Sequence, residues 1–302
     1  MSQKRSLTLI HSAEHAGWVF DSSHPTQGRR YINAQQSLLA MAKMKGVEVI
    51  EVLPRSAKRE ELEIVHTPSY MAEVLDQGIC NEWEGENKKL SQLAALFAGG
   101  SLTALELLLA GKSKSAIHFA GAKHHAQAEH SYGFCVFNDF AIAAQIASRQ
   151  HGLKVAILDI DGHHGDGVEN LTADNKDVLS FSIHHYGIFP GTGGADQEEL
   201  NVFNQPLNAG DSDDKLFKGV DRFITLAKKF KADIIFIACG ADGHVEDPLT
   251  GLAYSVEGLA KGCEMVRKAF TDLPILFGGA GGYLPDSRTP EVWATAALCL
   301  VE

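Results

Sequence analysis

Residues 155–169 read VAILDIDGHHGDGVE. An apolar run leads into three aspartates and two histidines within the eight positions from Asp159 to Asp166. Alternate residues of an extended chain share a face, so Asp159, Asp161 and His163 are expected to point the same way. Two carboxylates that close raise each other's pKa unless something positive sits between them. A divalent metal does this, and Asp and His ligands without cysteine suit zinc. Asp161 and His163 supply two ligands, and Asp242, at the end of a later apolar run, supplies a third. Three protein ligands leave a position open for water or substrate, the mark of a catalytic metal. Gly162, Gly165 and Gly167 let the backbone turn sharply beside them.

The elements that must position these groups are short runs of Val, Ile and Leu: 6–11, 47–54, 115–121, 155–162, 178–185, 233–242 and 274–282. Helical patterns lie between them at 101–111, at 138–152 with an Asn cap and a closing glycine, and at 213–231. The last carries Leu216, Phe217, Val220, Phe223, Ile224 and Ala227, the stripe of an amphipathic helix. Continuous apolar strands alternating with helices imply an α/β fold of three layers, an open parallel β-sheet flanked by helices on both faces. No repeat or linker interrupts the pattern, so residues 1–302 are expected to form one domain. Polar groups recur where strands end: His124 and His125, Asp159 to Asp166, His184 and His185, Asp242 and His244, then Gly281, Gly282 and Tyr283. In open α/β sheets the ligand crevice lies outside the carboxyl ends of the strands. Five segments thus deliver their groups to one rim.

Composition narrows the partners. The net charge of −11 argues against nucleic acid, and such an acidic surface serves chiefly to keep the protein soluble. Cys80, Cys135, Cys239, Cys263 and Cys299 are odd in number and form no CxxC pair. They fit a reducing compartment rather than a disulfide framework or a thiolate metal site. The start, MSQKRSLTLIHSAEH, does not read as a signal peptide, and no run of about 18 apolar residues marks a membrane span. The expectation is a cytoplasmic protein with no membrane partner.

DIDGHHGDG resembles the metal motif of the histone deacetylase superfamily, which includes acetylpolyamine amidohydrolases and acetoin-utilisation proteins and shares its fold with arginase. HPTQGRR (24–30), KHHAQAEHSYGFCVFNDFAIAA (123–144), FPGTG (189–193), NQPL (204–207), GADGHVEDPLTGL (240–252) and GGAGGY (278–283) resemble further family segments in the expected order. The DGHVEDPL form is similar to the class II and bacterial branch. The resemblance implies roles position by position. Asp161, His163 and Asp242 match the zinc ligands. His124 and His125 match the tandem active-site histidines, with His125 as general base and acid, and Asp159 and Asp166 match the carboxylates behind them. Tyr283 matches the tyrosine that hydrogen-bonds the substrate carbonyl. Asp159, Asp161, His163, Ser182 and Ile183 match the site of a structural monovalent cation, usually potassium. Phe134 and Phe189 match the walls of the acyl-lysine tunnel, Leu249 a gatekeeper at its mouth, and Gly133 and Gly281 complete the substrate-binding set. Arg30 matches a residue near an inner channel for acetate.

The implied activity is zinc-dependent removal of acetyl or other acyl groups from the Nε of lysine in proteins or peptides. A zinc-polarised carbonyl, a histidine that moves the proton and a tyrosine hydroxyl on the oxyanion suffice for it. The alternative is hydrolysis of acetylpolyamines or other small amides, and a homo-oligomer is compatible with either. A non-catalytic scaffold would lack a ligand, histidine or tyrosine, and none is missing. An arginase-like two-metal site would want DxHxD where this chain has DxDxH. The chain departs from the family at Lys123, where many relatives have glycine, a long side chain that reshapes the floor or rim. It departs again in the short segment 77–90, where Glu84, Glu86 and the rim aromatic Trp83 are candidates within a charged, solvated loop.

Overall fold

Runs of Val, Ile and Leu without polar alternation are stable as strands where both faces of a sheet are covered. The computed structural model, which describes residues 5–301, places eight runs in one open sheet. The strands are β1 (Ser6–Ile10), β2 (Glu48–Val52), β3 (Ser115–His118), β4 (Val155–Asp159), β5 (Val178–His185), β6 (Val202–Leu207), β7 (Ile234–Ala238) and β8 (Ile275–Gly278). Their order is β2-β1-β3-β8-β7-β4-β5-β6, and every pairing is parallel. The helices are α1 (Arg29–Lys45), α2 (Arg59–Leu62), α3 (Pro68–Met71), α4 (Lys88–Leu109), α5 (Asp139–His151), α6 (Asp166–Thr172), α7 (Asp213–Phe230), α8 (Val256–Ala269) and α9 (Arg288–Leu298). On one face α1 packs on α9, α9 on α8 and α8 on α7, while α4, α5 and α6 pack in series on the other. This is the expected three-layer α/β sheet. β3 and β4 are consecutive in the chain yet separated in the sheet by β8 and β7. The loops leaving these four central strands therefore converge at one crevice, where an open parallel sheet places its ligands.

Three expectations need correction. The sequence suggests seven strands, and β6 is an eighth. Its Asn204, Gln205 and Pro206 hide it, and a proline is tolerated because β6 is an edge strand. The central strands also stop early: β4 ends at Asp159, β7 at Ala238 and β8 at Gly278, so Asp161, Asp242 and Gly281 sit in the loops beyond. Finally, the helix expected at 101–111 is the second half of α4. Gly99 and Gly100, just before the expected start, lie inside the helix, where no side chain fits. A Cβ at Gly99 would lie 1.9 Å from the Arg55 carbonyl oxygen, and one at Gly100 2.4 Å from the His118 ring. By length and composition α4 could cross a membrane; here it is a core helix with most of its side chains buried.

Caps set the ends of α5 as the sequence suggests. The Asn138 side chain accepts from the Ala141 amide, and Gly152 closes the helix in the left-handed region. His66 ties that start to the loop after β3. Its Nδ1 donates to the Gln127 carbonyl at 2.9 Å and its Nε2 accepts from the Asn138 amide at 3.0 Å, so the ring is neutral. Burial pushes the pKa of His66 down to about 4, and burial with the neighbouring His11 and Lys123 takes His15 to about 3. Burial, then His164, likewise takes His184 to about 3. These depressed values carry a pH signature. Above about 6.5 the folded and unfolded chains are both neutral at these rings; below it the unfolded chain takes up protons that the folded chain refuses until about 3–4. Stability is therefore expected to fall between pH 7 and pH 5, by about 2 kcal/mol for each of the three histidines. Urea midpoints across that range measure it, and His66→Gln should flatten the slope.

Candidate metal centre

The turn after β4 carries Asp161 and His163, and the turn after β7 carries Asp242. One ligand atom from each lies within 4.8 Å of the others, and all three side chains are buried. His163 Nδ1 stands 2.8 Å from Asp242 Oδ2 and 3.2 Å from Asp161 Oδ1. The remaining carboxylate oxygens face backbone donors: Gly281 N donates to Asp161 Oδ2 at 2.7 Å, and Gly162 N to Asp242 Oδ1 at 2.8 Å. Burial disfavours a charge on His163, yet its hydrogen bonds to Asp161 and Asp242 hold its pKa up at about 11. Burial and the Asp161 charge raise Asp242 to about 6. Two buried carboxylates thus draw positive charge to a single point, and a divalent cation bound by the two oxygens and the imidazole nitrogen satisfies that demand. The donor set fits a metal.

Asp159 does not join this trio. β4 ends there, so the alternation that would align it with Asp161 stops. Its Oδ2 takes His124 Nδ1 at 2.7 Å and its Oδ1 the Asp161 amide at 3.0 Å. His125 Nδ1 lies 2.6 Å from Asp166 Oδ1 at the start of α6, and Gln127 holds the other oxygen, Asp166 Oδ2, at 2.9 Å. The two imidazole centroids are 4.0 Å apart. Burial works against charge on His124, but Asp159 and Asp161 overcome it and raise its pKa to about 9. Burial, then the neighbouring His124, lowers His125 to about 4. The two shifts run in opposite directions, toward charge on His124 and toward neutrality on His125.

The histidine segment is held from α5. The fully buried Asp139 accepts the Ala122 amide at 2.9 Å and the Lys123 amide at 2.6 Å. Ala122, Phe134 and Ala280 all adopt positive φ, which non-glycine residues seldom do, and all three flank this crevice.

Outside the trio lies a pocket of about 410 Å³, lined by His125, Tyr132, Phe134, Phe189, Leu249 and Tyr283 among others. Gly133 (φ 54°) lines it too, and a Cβ there would lie 2.5 Å from the His125 ring. Burial, then the charges of Asp242 and Asp161, pushes the Tyr283 phenol well above its ordinary value, so it keeps its proton. Asp247 joins two walls: Oδ2 accepts the Tyr283 amide at 2.8 Å and Oδ1 the Leu249 amide at 3.1 Å.

Several other expectations resolve here. Strand register sets Asp159 opposite Ser182, with Ile183 the next residue of β5. The Ser182 hydroxyl also lies 3.0 Å from His184 Nδ1. His184, His185 and His244 do not line the pocket, so fewer groups reach the rim than the strand ends suggest. Arg30 is buried, with Nη1 donating to the Gly282 carbonyl at 2.7 Å. In the 77–90 loop Glu84 and Glu86 are exposed, and Trp83 is no rim aromatic. It packs inward against Trp18 and donates to the Gly78 carbonyl. The acid that reaches the tunnel wall is Glu82, whose Oε2 accepts the Phe134 amide at 3.2 Å. Glu82, Tyr132, Asp139 and Asp247 escape the sequence reading; Tyr132, Asp139 and Asp247 lie inside the motif-bearing segments 123–144 and 240–252, which could have found them, whereas Glu82 lies in none.

Close packing around the trio makes a test. A Cβ at Gly281 would lie 2.4 Å from Asp242 Oδ2 and 2.7 Å from Asp161 Oδ2. Gly281→Ala should therefore splay both carboxylates and weaken metal affinity roughly 10- to 100-fold, as loss of a ligand's supporting partner does. Competition against a chelator reads this, and an unchanged affinity would show that the carboxylates have room to spare.

The family model for the histone deacetylase domain matches residues 24–299. The chain is 31% identical to an acetoin utilization protein, AcuC, of Staphylococcus aureus, over all of this chain and 84% of that protein. It is also 31% identical to AcuC of Bacillus subtilis, over 96% of this chain and 81% of the relative. Identity to histone deacetylase 10, chloroplastic, of rice is again 31%, over 93% and 70% respectively. The chain belongs to the histone deacetylase family and is a deacetylase, a hydrolase of acetylated substrates.

Proposed function

We propose that the protein is a zinc-dependent amidohydrolase that removes the acetyl group from the Nε of lysine in peptides or proteins. The observation that carries the substrate reading is the pocket itself. It is about 410 Å³, has aromatic walls in Phe134 and Phe189, carries Leu249, and has no carboxylate among its lining residues. An uncharged acyl-lysine stem suits such a lining, whereas the distal ammonium of a polyamine would find no partner in it.

Zinc bound by Asp161, His163 and Asp242 would lend Lewis acidity to the amide carbonyl and to a water. His125, neutral and with Nδ1–H held by Asp166, offers Nε2 as the base for the water proton and returns that proton to the leaving amine. His124 Nδ1, 2.7 Å from Asp159 Oδ2, is held toward its protonated form by that carboxylate, which places positive potential beside the developing oxyanion and works against a second proton on His125. Tyr283, protonated, donates its hydroxyl to the oxyanion. Asp159, Ser182 and the carbonyls of Asp161, His163 and Ile183 are assigned to a potassium ion, a role supported by the register that sets Asp159 against Ser182. A cytoplasmic location is assigned on the five free thiols. The second reading is hydrolysis of a small acetylated amide; the names of the bacterial relatives refer to acetoin utilization and specify no protein substrate.

With zinc-loaded protein, an acetyl-lysine peptide is expected to be cleaved faster than N-acetylated putrescine or spermidine; the reverse order would overturn the protein-substrate reading. Tyr283→Phe should keep the metal and lose roughly 100- to 1000-fold in kcat, as removal of one oxyanion donor does. Wild-type turnover in that variant would remove Tyr283 from the mechanism.

A further inference from the structure

We propose that Lys123 closes the acyl side of the site and restricts this deacetylase to acetyl, excluding butyryl and longer chains; the inference rests on the function proposed above. A substrate threaded through the outer pocket presents its amine side to the mouth. Its acyl group lies past the metal trio, on the far side of His125 and Tyr283. That side holds a small cavity of about 20 Å³, which shares His125, Gly133, Phe134 and Tyr283 with the outer pocket and is bordered further by Arg30, Lys123, His124 and Cys135. A space of about 10–15 Å³ on this measure takes a single water, which is methyl-sized. The acetyl methyl fits, and further methylenes must displace protein atoms from a closely packed wall.

Lys123 is the long side chain in that wall. Asp139 holds the Ala122 and Lys123 amides, and Ala122 adopts φ 63°, so the backbone sends the side chain inward. Lys123 is 5% exposed. Its Nζ donates to Tyr31 Oη at 3.1 Å and lies 5.5 and 5.3 Å from the ring centroids of Tyr31 and Phe97. A cation so seated over two aromatic faces is not free to swing aside. Arg30 adds a second buried cation, with Nη2 on the same Tyr31 oxygen at 2.8 Å. Among the described residues neither cation has a carboxylate partner, and Arg30 Nε and the Thr26 hydroxyl, both beside this cavity, are buried without a hydrogen bond. An alkyl tail there would meet desolvated charge as well as lack of room.

The test is an acyl ladder (acetyl, propionyl, butyryl, hexanoyl) on one lysine peptide, read as kcat/KM. The same ladder is read as Kd with non-cleavable ketone isosteres of the amide. Wild type is expected to fall roughly 100-fold from acetyl to butyryl, the upper range for hydrophobic-pocket discrimination. Lys123→Ala should recover at least tenfold of that ratio, while Lys123→Met, similar in bulk and uncharged, should keep it. A flat wild-type ladder overturns the proposal without recourse to a variant. So does a Lys123→Ala ladder as steep as wild type, or a Lys123→Met ladder as open as that of Lys123→Ala. If the acetylated polyamine is cleaved and the peptide is not, the protein-substrate reading fails alone, and the ladder moves to the polyamine. If neither is cleaved, the ketone ladder still decides, equal affinities along it counting against Lys123.

Discussion

Two carboxylates buried within reach of one imidazole nitrogen make a charge problem that the protein cannot leave unsolved. Asp161 and Asp242 come from turns after two neighbouring strands, and no water-exposed surface screens them. Every oxygen not facing His163 Nδ1 is given a backbone amide, and those amides belong to Gly162 and Gly281. That close approach forbids a side chain at Gly281 and fixes where the loop leaving β8 must pass. Tyr283 sits two residues further on, so its place in the pocket follows from the same constraint.

The sheet makes the constraint affordable. Four central strands buried on both faces give a rigid base, and the loops leaving them are braced by helix starts rather than by one another. Asp139 at the start of α5 fixes the peptide before the paired histidines, and Asp166 at the start of α6 fixes the ring of the second. Carboxylates at helix N-termini also gain from the unsatisfied amides there. Positive φ at Ala122, Phe134 and Ala280 is the local strain that this bracing sustains.

Much of the site was legible because its groups are close in sequence or close to strand ends. Asp161 and His163 share the six-residue turn 160–165 between β4 and α6, Asp242 follows an apolar run, and His124 and His125 are adjacent. What stayed hidden depends on contacts that local pattern does not encode. The side of Asp159 could not be read, because the period of two holds only while the strand lasts, and β4 ends at that residue. The direction of Lys123 is set by Asp139, sixteen positions away. Glu82 differs from Glu84 and Glu86 only in how the loop folds back on Phe134. β6 escaped because an edge strand tolerates the proline and amides that disguise it.

Asp247 has a mechanical consequence. One carboxylate grips the amide of Tyr283 with one oxygen and the amide of Leu249 with the other. Burial, with the nearby Asp242, raises its pKa to about 7, so near neutral pH it is close to sharing its charge with a proton. The two loops it joins are, through that residue, a single stiff lever. Moving the Leu249 backbone outward pulls, through Asp247, on the backbone that carries the phenol at the base of the pocket. Backbone movement at the entrance is thereby coupled to the aim of the phenol at the reacting bond.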